Sequence, residues 1–275
     1  MGTSQSSSGA PSGVPLVPPW VPDPAAPADT HDADGANGGT SNRNPPPQQM
    51  AAPGRFGPAR RSLTSFARGA DSDDMRRGVG HYIRRGLGGG GTAVRRFGGT
   101  VRTAGSLYGA LAATAAGEAA APGSPLDPAL LAGRTAREVM AAIVEAVRPV
   151  DGTQDAEASR KAILDALSDL LERFPDADLL NLTDDQRALA IDRYVARDVY
   201  QRFDLDVGKT VRDKAPSASA GLARLREVRD YIRETVAGAF RRLRAVGQSL
   251  TAGRVAEVVV AALRNTFQVF EEYAR

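Results

Sequence analysis

Residues 183–203 read TDDQRALAIDRYVARDVYQRF. Thr183 followed three residues later by Gln186 is the pattern of a capping box, in which side chain and backbone satisfy each other's free groups at a helix start. Asp184 and Asp185 add negative charge to the first turn, where the helix dipole favours it. Behind them Leu189, Ile191, Tyr194, Val195, Val199 and Phe203 recur at helical spacing. The stretch predicts an amphipathic helix, and such a helix must bury its apolar face against others.

The chain on either side repeats the pattern. Thr135 and Glu138 form a second candidate capping box, opening a stripe of Val139, Ile143 and Val147 that ends before Pro149. A helix is predicted over about 155–174, with Ile163, Leu167, Leu170, Leu171 and Phe174 on one side and Pro175 as its stop. A longer one spans about 217–246, carrying Leu222, Leu225, Ile232, Val236, Ala239, Leu243 and Val246. The last, 253–273, carries Val255, Val259, Leu263, Thr266, Phe267 and Phe270. The alternation of a half-buried strand is nowhere sustained. The fold class is therefore all-α: a helical bundle over 126–275, preceded by a long disordered Gly/Ser/Pro-rich N-terminal tail.

Residues 71–121 read as a basic, glycine-rich helical segment. Asp71-Ser72-Asp73-Asp74 supplies N-cap candidates, and Met75, Val79, Tyr82 and Ile83 then share a face. Val94, Phe97, Val101, Leu107 and Leu111 continue near helical spacing. Gly86, Gly88 and Gly91 match Gly-x-Gly-x-x-Gly letter for letter, but a dinucleotide fingerprint must follow a strand. Here the preceding residues are helical, and no Gly-Lys-Ser/Thr closes a phosphate loop, so the run reads as a flexible hinge between two helices. Eleven arginines between Arg55 and Arg102 oppose three aspartates, a net +8 against +3 for the whole chain. Arg76, Arg77, Arg84, Arg85, Arg95 and Arg96 are the candidate basic patch. Such a patch suits phosphates, an acidic protein partner, or simply solvent.

Residues 1–70 have the composition of a disordered tail. The opening MGTSQSSSGAPSGVPLVPPWVPDP is unusual within it, because Val14, Leu16, Val17, Trp20 and Val21 stand among Pro15, Pro18, Pro19 and Pro22. Prolines pre-extend such a peptide and lower the entropy lost on docking, so it reads as a partner-docking peptide. Gly2, once Met1 is removed, offers an unhindered α-amine; Met1-Gly2 with Ser6 also fits the myristoylation pattern, a poor match to a chain whose 32 arginines against three lysines and 47 alanines suggest a GC-rich bacterial genome.

Several function classes fall away. With no cysteine there is no disulfide framework or thiolate metal site. His31 and His81 lack partner spacing, and no metal site or cofactor site is expected. No nucleophile elbow occurs, so catalysis is not expected. No apolar run is long enough to span a bilayer and the first residues lack signal-peptide character, so a cytoplasmic protein without membrane contact is expected.

Two blocks carry a family resemblance: MGTSQSSSGAPSGVPLVPPWVPD and GHYIRRGLGGGGTAVRRFGGTVRTAGSLYGAL. Both resemble the QatB proteins of the bacterial Qat anti-phage defence system. The resemblance implies a four-component system with an ATPase, a QueC-like enzyme (QatC) and a TatD-like nuclease. It further implies a non-catalytic chain that binds QatC, with the Qat ATPase as a candidate second partner. Gly2 would be the acceptor of a deazaguanine, with Thr3, Ser4, Val14, Pro15, Val17, Pro18, Pro19, Trp20 and Val21 as the partner-binding peptide. The alternative from the residues alone is a nucleic-acid-binding adaptor using the Arg/Gly-rich segment 55–102.

Overall fold

The capping box at Thr183 is formed: Gln186 N donates to Thr183 Oγ1 at 3.3 Å, and Thr183 N donates to Gln186 Oε1 at 2.9 Å. The helix it opens runs over Asp184–Phe203. The computed structural model describes residues 12–19, 21, 49–118 and 120–274. In chain order the helices are α1 (Gly57–Ala67), α2 (Ser72–His81), α3 (Gly90–Arg96), α4 (Gly98–Ala115), α5 (Pro128–Leu131) and α6 (Ala136–Val147). They continue with α7 (Gln154–Arg173), α8 (Asp184–Phe203), α9 (Lys209–Lys214), α10 (Ala218–Ala245) and α11 (Val255–Glu272). A π-helical turn, Tyr82–Gly86, follows α2, and a second, Asp204–Gly208, joins α8 to α9. Among the described residues the only β pairing is one antiparallel bridge, Pro15 with Met50. The all-α class stands.

Three of the starts, at Asp71, Thr135 and Thr183, are capped as the sequence predicts. Asp71 accepts from the amides of Asp73 and Asp74, and Thr135 and Glu138 complete the second capping box. Ser217 caps α10 and Thr153 caps α7. α8 lies between α7 and α10; α11 packs on α10, and α4 lies against both α8 and α11. One continuous apolar core results, running from Phe56 to Phe270. At the two ends of α10 the predicted stripe leaves the core: Leu222 and Val246 are 62% and 73% exposed.

The division at residue 70 does not coincide with the observed elements. Helix α1 lies inside the segment assigned to the tail, and Ala59, Leu63, Phe66 and Ala67 are buried along one face of it. That spacing is helical, with Pro58 in the first turn where a missing N–H costs nothing. Composition hid it, because Gly, Pro and Arg surround a stripe of four residues. Residues 12–17 also carry defined structure, described below. The remaining tail assignments, at 1–11, 20 and 22–48, fall outside the described residues. No helix among the described residues is long and apolar enough to cross a membrane.

Candidate functional site

The glycine run is built by the end of α2. The chain leaves through the Tyr82–Gly86 π turn, where Leu87 N donates to Tyr82 O and Gly89 N to Ile83 O, at 3.0 and 3.1 Å. Gly88 and Gly89 then take φ of +81° and +91°, a region that residues with a Cβ rarely adopt. The run is a packed turn rather than the flexible hinge expected. A Cβ at Gly86 would come within 2.5 Å of the Phe56 ring, and one at Gly88 within 2.5 Å of Leu16 Cδ1. A glycine loop opening a helix can receive an anion on its amides. Here Glu271 of α11 is that anion: its Oε1 accepts from Gly90 N at 2.9 Å.

Across Gly88 lies the N-terminal segment. Gly13 N donates to Ala51 O (3.0 Å), Ala51 N to Val14 O (2.7 Å) and Leu16 N to Gln49 O (2.8 Å). Pro15, opposite Met50, has no N–H to lose, so its fixed φ favours the extended form at no cost in pairing. Leu16 is 6% exposed. Its carbonyl accepts from Arg96 Nη1 at 2.9 Å, and Thr92 Oγ1 donates to Gln49 Oε1 at 2.9 Å.

Beneath this contact is a polar and aromatic layer. The Arg55 guanidinium lies 4.9 Å from the centroid of the Phe56 ring, which stacks on Tyr82 at 5.8 Å. Tyr82 Oη donates to Asp206 at 2.9 Å. Burial raises both the Tyr82 hydroxyl and the Asp206 carboxyl, the latter against the pull of Arg96, Arg55 and Arg202. Burial, followed by the charge of Arg96, lowers Arg55. Deeper still, Arg202 meets Asp198 at 3.1 Å and Asp155 at 3.3 Å, with Thr100 Oγ1 donating to Asp198 at 2.5 Å. Burial alone would lower Arg202, but the two carboxylates raise it overall. These groups sit on helices of one core and hold them together. Among the described residues no cluster of three metal-ligating side chains occurs.

A family model described as Qat anti-phage system associated protein QatB matches residues 88–270, from the glycine turn to the end of the core. The chain belongs to the QatB family. It is thereby a component of the Qat anti-phage system. No curated protein and no solved structure matches the chain.

The predicted site residues of this QatB-family chain distribute unevenly. Val14 and Pro19 are exposed, while Pro15, Val17, Pro18 and Val21 are half-buried. Gly2, Thr3, Ser4 and Trp20 lie outside the described residues. In the basic patch, Arg76 pairs with Asp73 and Arg77 with Asp74, at 2.9 and 2.7 Å. Arg84 reaches the Ala274 carbonyl at 3.3 Å and Arg96 that of Leu16. Arg85 and Arg95 are exposed. Reasoning from sequence missed the residues that seat the N-terminal segment: Gln49, Ala51, Gly88, Thr92 and the role of Leu16. The glycine run was the one available signal, since a residue without a side chain marks a close approach.

Proposed function

We propose that this chain is the non-catalytic protein substrate of the Qat system's QueC-like enzyme, QatC, receiving a deazaguanine on the α-amine of Gly2 after removal of Met1. The observation that carries the reading is the segment Gly13–Leu16, an extended peptide that pairs through its backbone with residues 49–51 and so is suited to pairing with a partner in the same way. From Gly13 to Gly2 the chain spans at most about 40 Å when extended. That is enough to carry an amine into a recessed active site while the body stays outside it. Glycine leaves the amine uncrowded, and an α-amino group titrates near 8, so a neutral fraction is present near pH 7. The neutral amine attacks an activated acyl carbon, the amide bond forms, the activating group leaves, and the amine gives up its proton. Trp20 and Val17 serve as docking contacts, since a buried aromatic anchor is often worth about 2 kcal/mol or more.

Coexpression with the QueC-like enzyme, followed by mass spectrometry of the N-terminal peptide, tests this. A deazaguanine-sized addition is expected, absent from Gly2→Trp and reduced in Trp20→Ala. An unmodified Gly2 in cells with an active system would remove the acceptor role. The alternative, a nucleic-acid adaptor, rests on the exposed Arg85 and Arg95. It predicts binding that weakens steeply with salt, and Arg85→Glu with Arg95→Glu should then abolish that binding.

A further inference from the structure

We propose that Gln49, Ala51, Gly88, Thr92 and Arg96 form a peptide-binding seat, that the chain's own Gly13–Val17 occupies it, and that this occupancy withholds the segment from outside binders until it is displaced. The seat reads both backbone and side chain. Its backbone side is the pairing of residues 13–16 with 49–51, which uses the amides of Gly13, Leu16 and Ala51. The Leu16 carbonyl is used as well, by Arg96. Its side-chain side is the space over Gly88, which Leu16 fills and which any Cβ at that position would close. Gln49 is held in place by the Thr92 hydroxyl. The ligand class is thus an extended peptide with a leucine-sized residue at one position and a free carbonyl there.

While the segment is seated, the Leu16 side chain, amide and carbonyl are all engaged. A second protein that needs any of them must first break these contacts. Val14 and Met50, by contrast, are 39% and 53% exposed, so the outward edge of the pairing is open. The contact is suited to exchange. It joins Leu16 to Gln49 across 32 intervening residues, and closing such a loop carries an entropy cost that release returns. Opening of a small unit of this kind does not require the helical core to unfold. The seat does not depend on the Gly2 reading; only the choice of QatC as the displacing partner rests on it.

Amide exchange on the full chain tests the seat. The Leu16 and Ala51 amides are expected to exchange at least about ten-fold slower than unprotected amides. Gly88→Val, which fills the seat, and Ala51→Pro, which deletes a donor, should both abolish the protection of the Leu16 amide, which both variants keep, while amides of α8 keep theirs. Ala51 lies outside every helix, so this second variant keeps the test open if Gly88→Val does not fold. Unprotected Leu16 in the unaltered chain, or protection unchanged in a folded variant, overturns the seat. Withholding is read separately, by the rate at which thermolysin cuts beside Leu16 in the intact chain. Faster cleavage by about ten-fold in the variants is expected, and equal rates overturn it. Capture of the full chain by the immobilised QueC-like enzyme should also be several-fold faster for Ala51→Pro, and slower capture overturns withholding. If no chain is captured at all, the function reading above falls, and exchange and cleavage still decide the seat.

Discussion

Asp192 sits on α8 with 6% of its surface exposed and its Oδ1 without a hydrogen-bond partner. Burial raises its pKa to about 6, opposed by Arg193, Arg244 and Arg241 and reinforced by Glu234. A carboxyl whose folded value lies above its unfolded value binds protons more readily in the folded state. Its contribution to stability is therefore fully present below about pH 4, where an unfolded aspartate titrates, and is lost as pH rises through about 6. The difference between those two values corresponds to about 3 kcal/mol. Asp192→Asn is expected to gain stability relative to the unaltered chain on going from pH 4 to pH 8, most of it before pH 7. Chemical denaturation at the two pH values measures this, and a pH-independent difference would show that the carboxyl is not desolvated as described. Nothing in the sequence distinguished Asp192 from the solvated acids around it. Three of the four charges that act on it, Arg241, Arg244 and Glu234, belong to α10, at a distant point in the chain.

At the scale of elements, the capped starts and apolar stripes were readable because their information is local. A cap and its partner lie three residues apart, and a stripe repeats within one turn. The pairing of 13–16 with 49–51 was not readable, because its partners are remote and neither strand has a periodic pattern. The same limit hid the link between α4 and α8. Thr100 is a plain residue in a glycine-rich helix until Asp198 arrives beside it at 2.5 Å, and Asp198 in turn is fully buried against Arg202. Arg202 also lies 5.1 Å from the Phe97 ring centroid, at the start of α4. Removing one partner of a buried pair leaves the other charge unmatched, at about 3–5 kcal/mol. Asp198→Ala is expected to lose that much in equilibrium unfolding. A loss below about 1 kcal/mol would place this pair with solvent-exposed ones instead.

For the whole molecule, the expectation of a bundle over 126–275 standing apart from a basic segment over 71–121 meets a core with no seam at either boundary. Tyr82, Phe97, Leu107 and Leu111 are nearly or fully inaccessible, and they belong to the same cluster as Leu167, Ile232 and Phe267. The Phe97 ring lies 5.2 Å from Phe267 of α11, and Tyr82 meets Phe203 of α8 edge-on at 5.2 Å. A fragment of residues 126–275 would keep its capping boxes, since those need only neighbouring residues. It would also expose the faces of α8 and α11 that α4 and the π turn now cover. Losing the packing of these large side chains, at about 2–5 kcal/mol for each, is comparable with the whole margin of about 5–15 kcal/mol by which domains are stable. The fragment is therefore expected to retain helical circular dichroism, bind a hydrophobic dye, and unfold without a sharp transition. Residues 49–275 should unfold in one cooperative step, because α1 to α11 and the whole described core lie within them. A sharp, dye-free transition in the shorter fragment would show instead that the helices after residue 126 close on themselves, and that the glycine-rich segment is an addition to a finished domain.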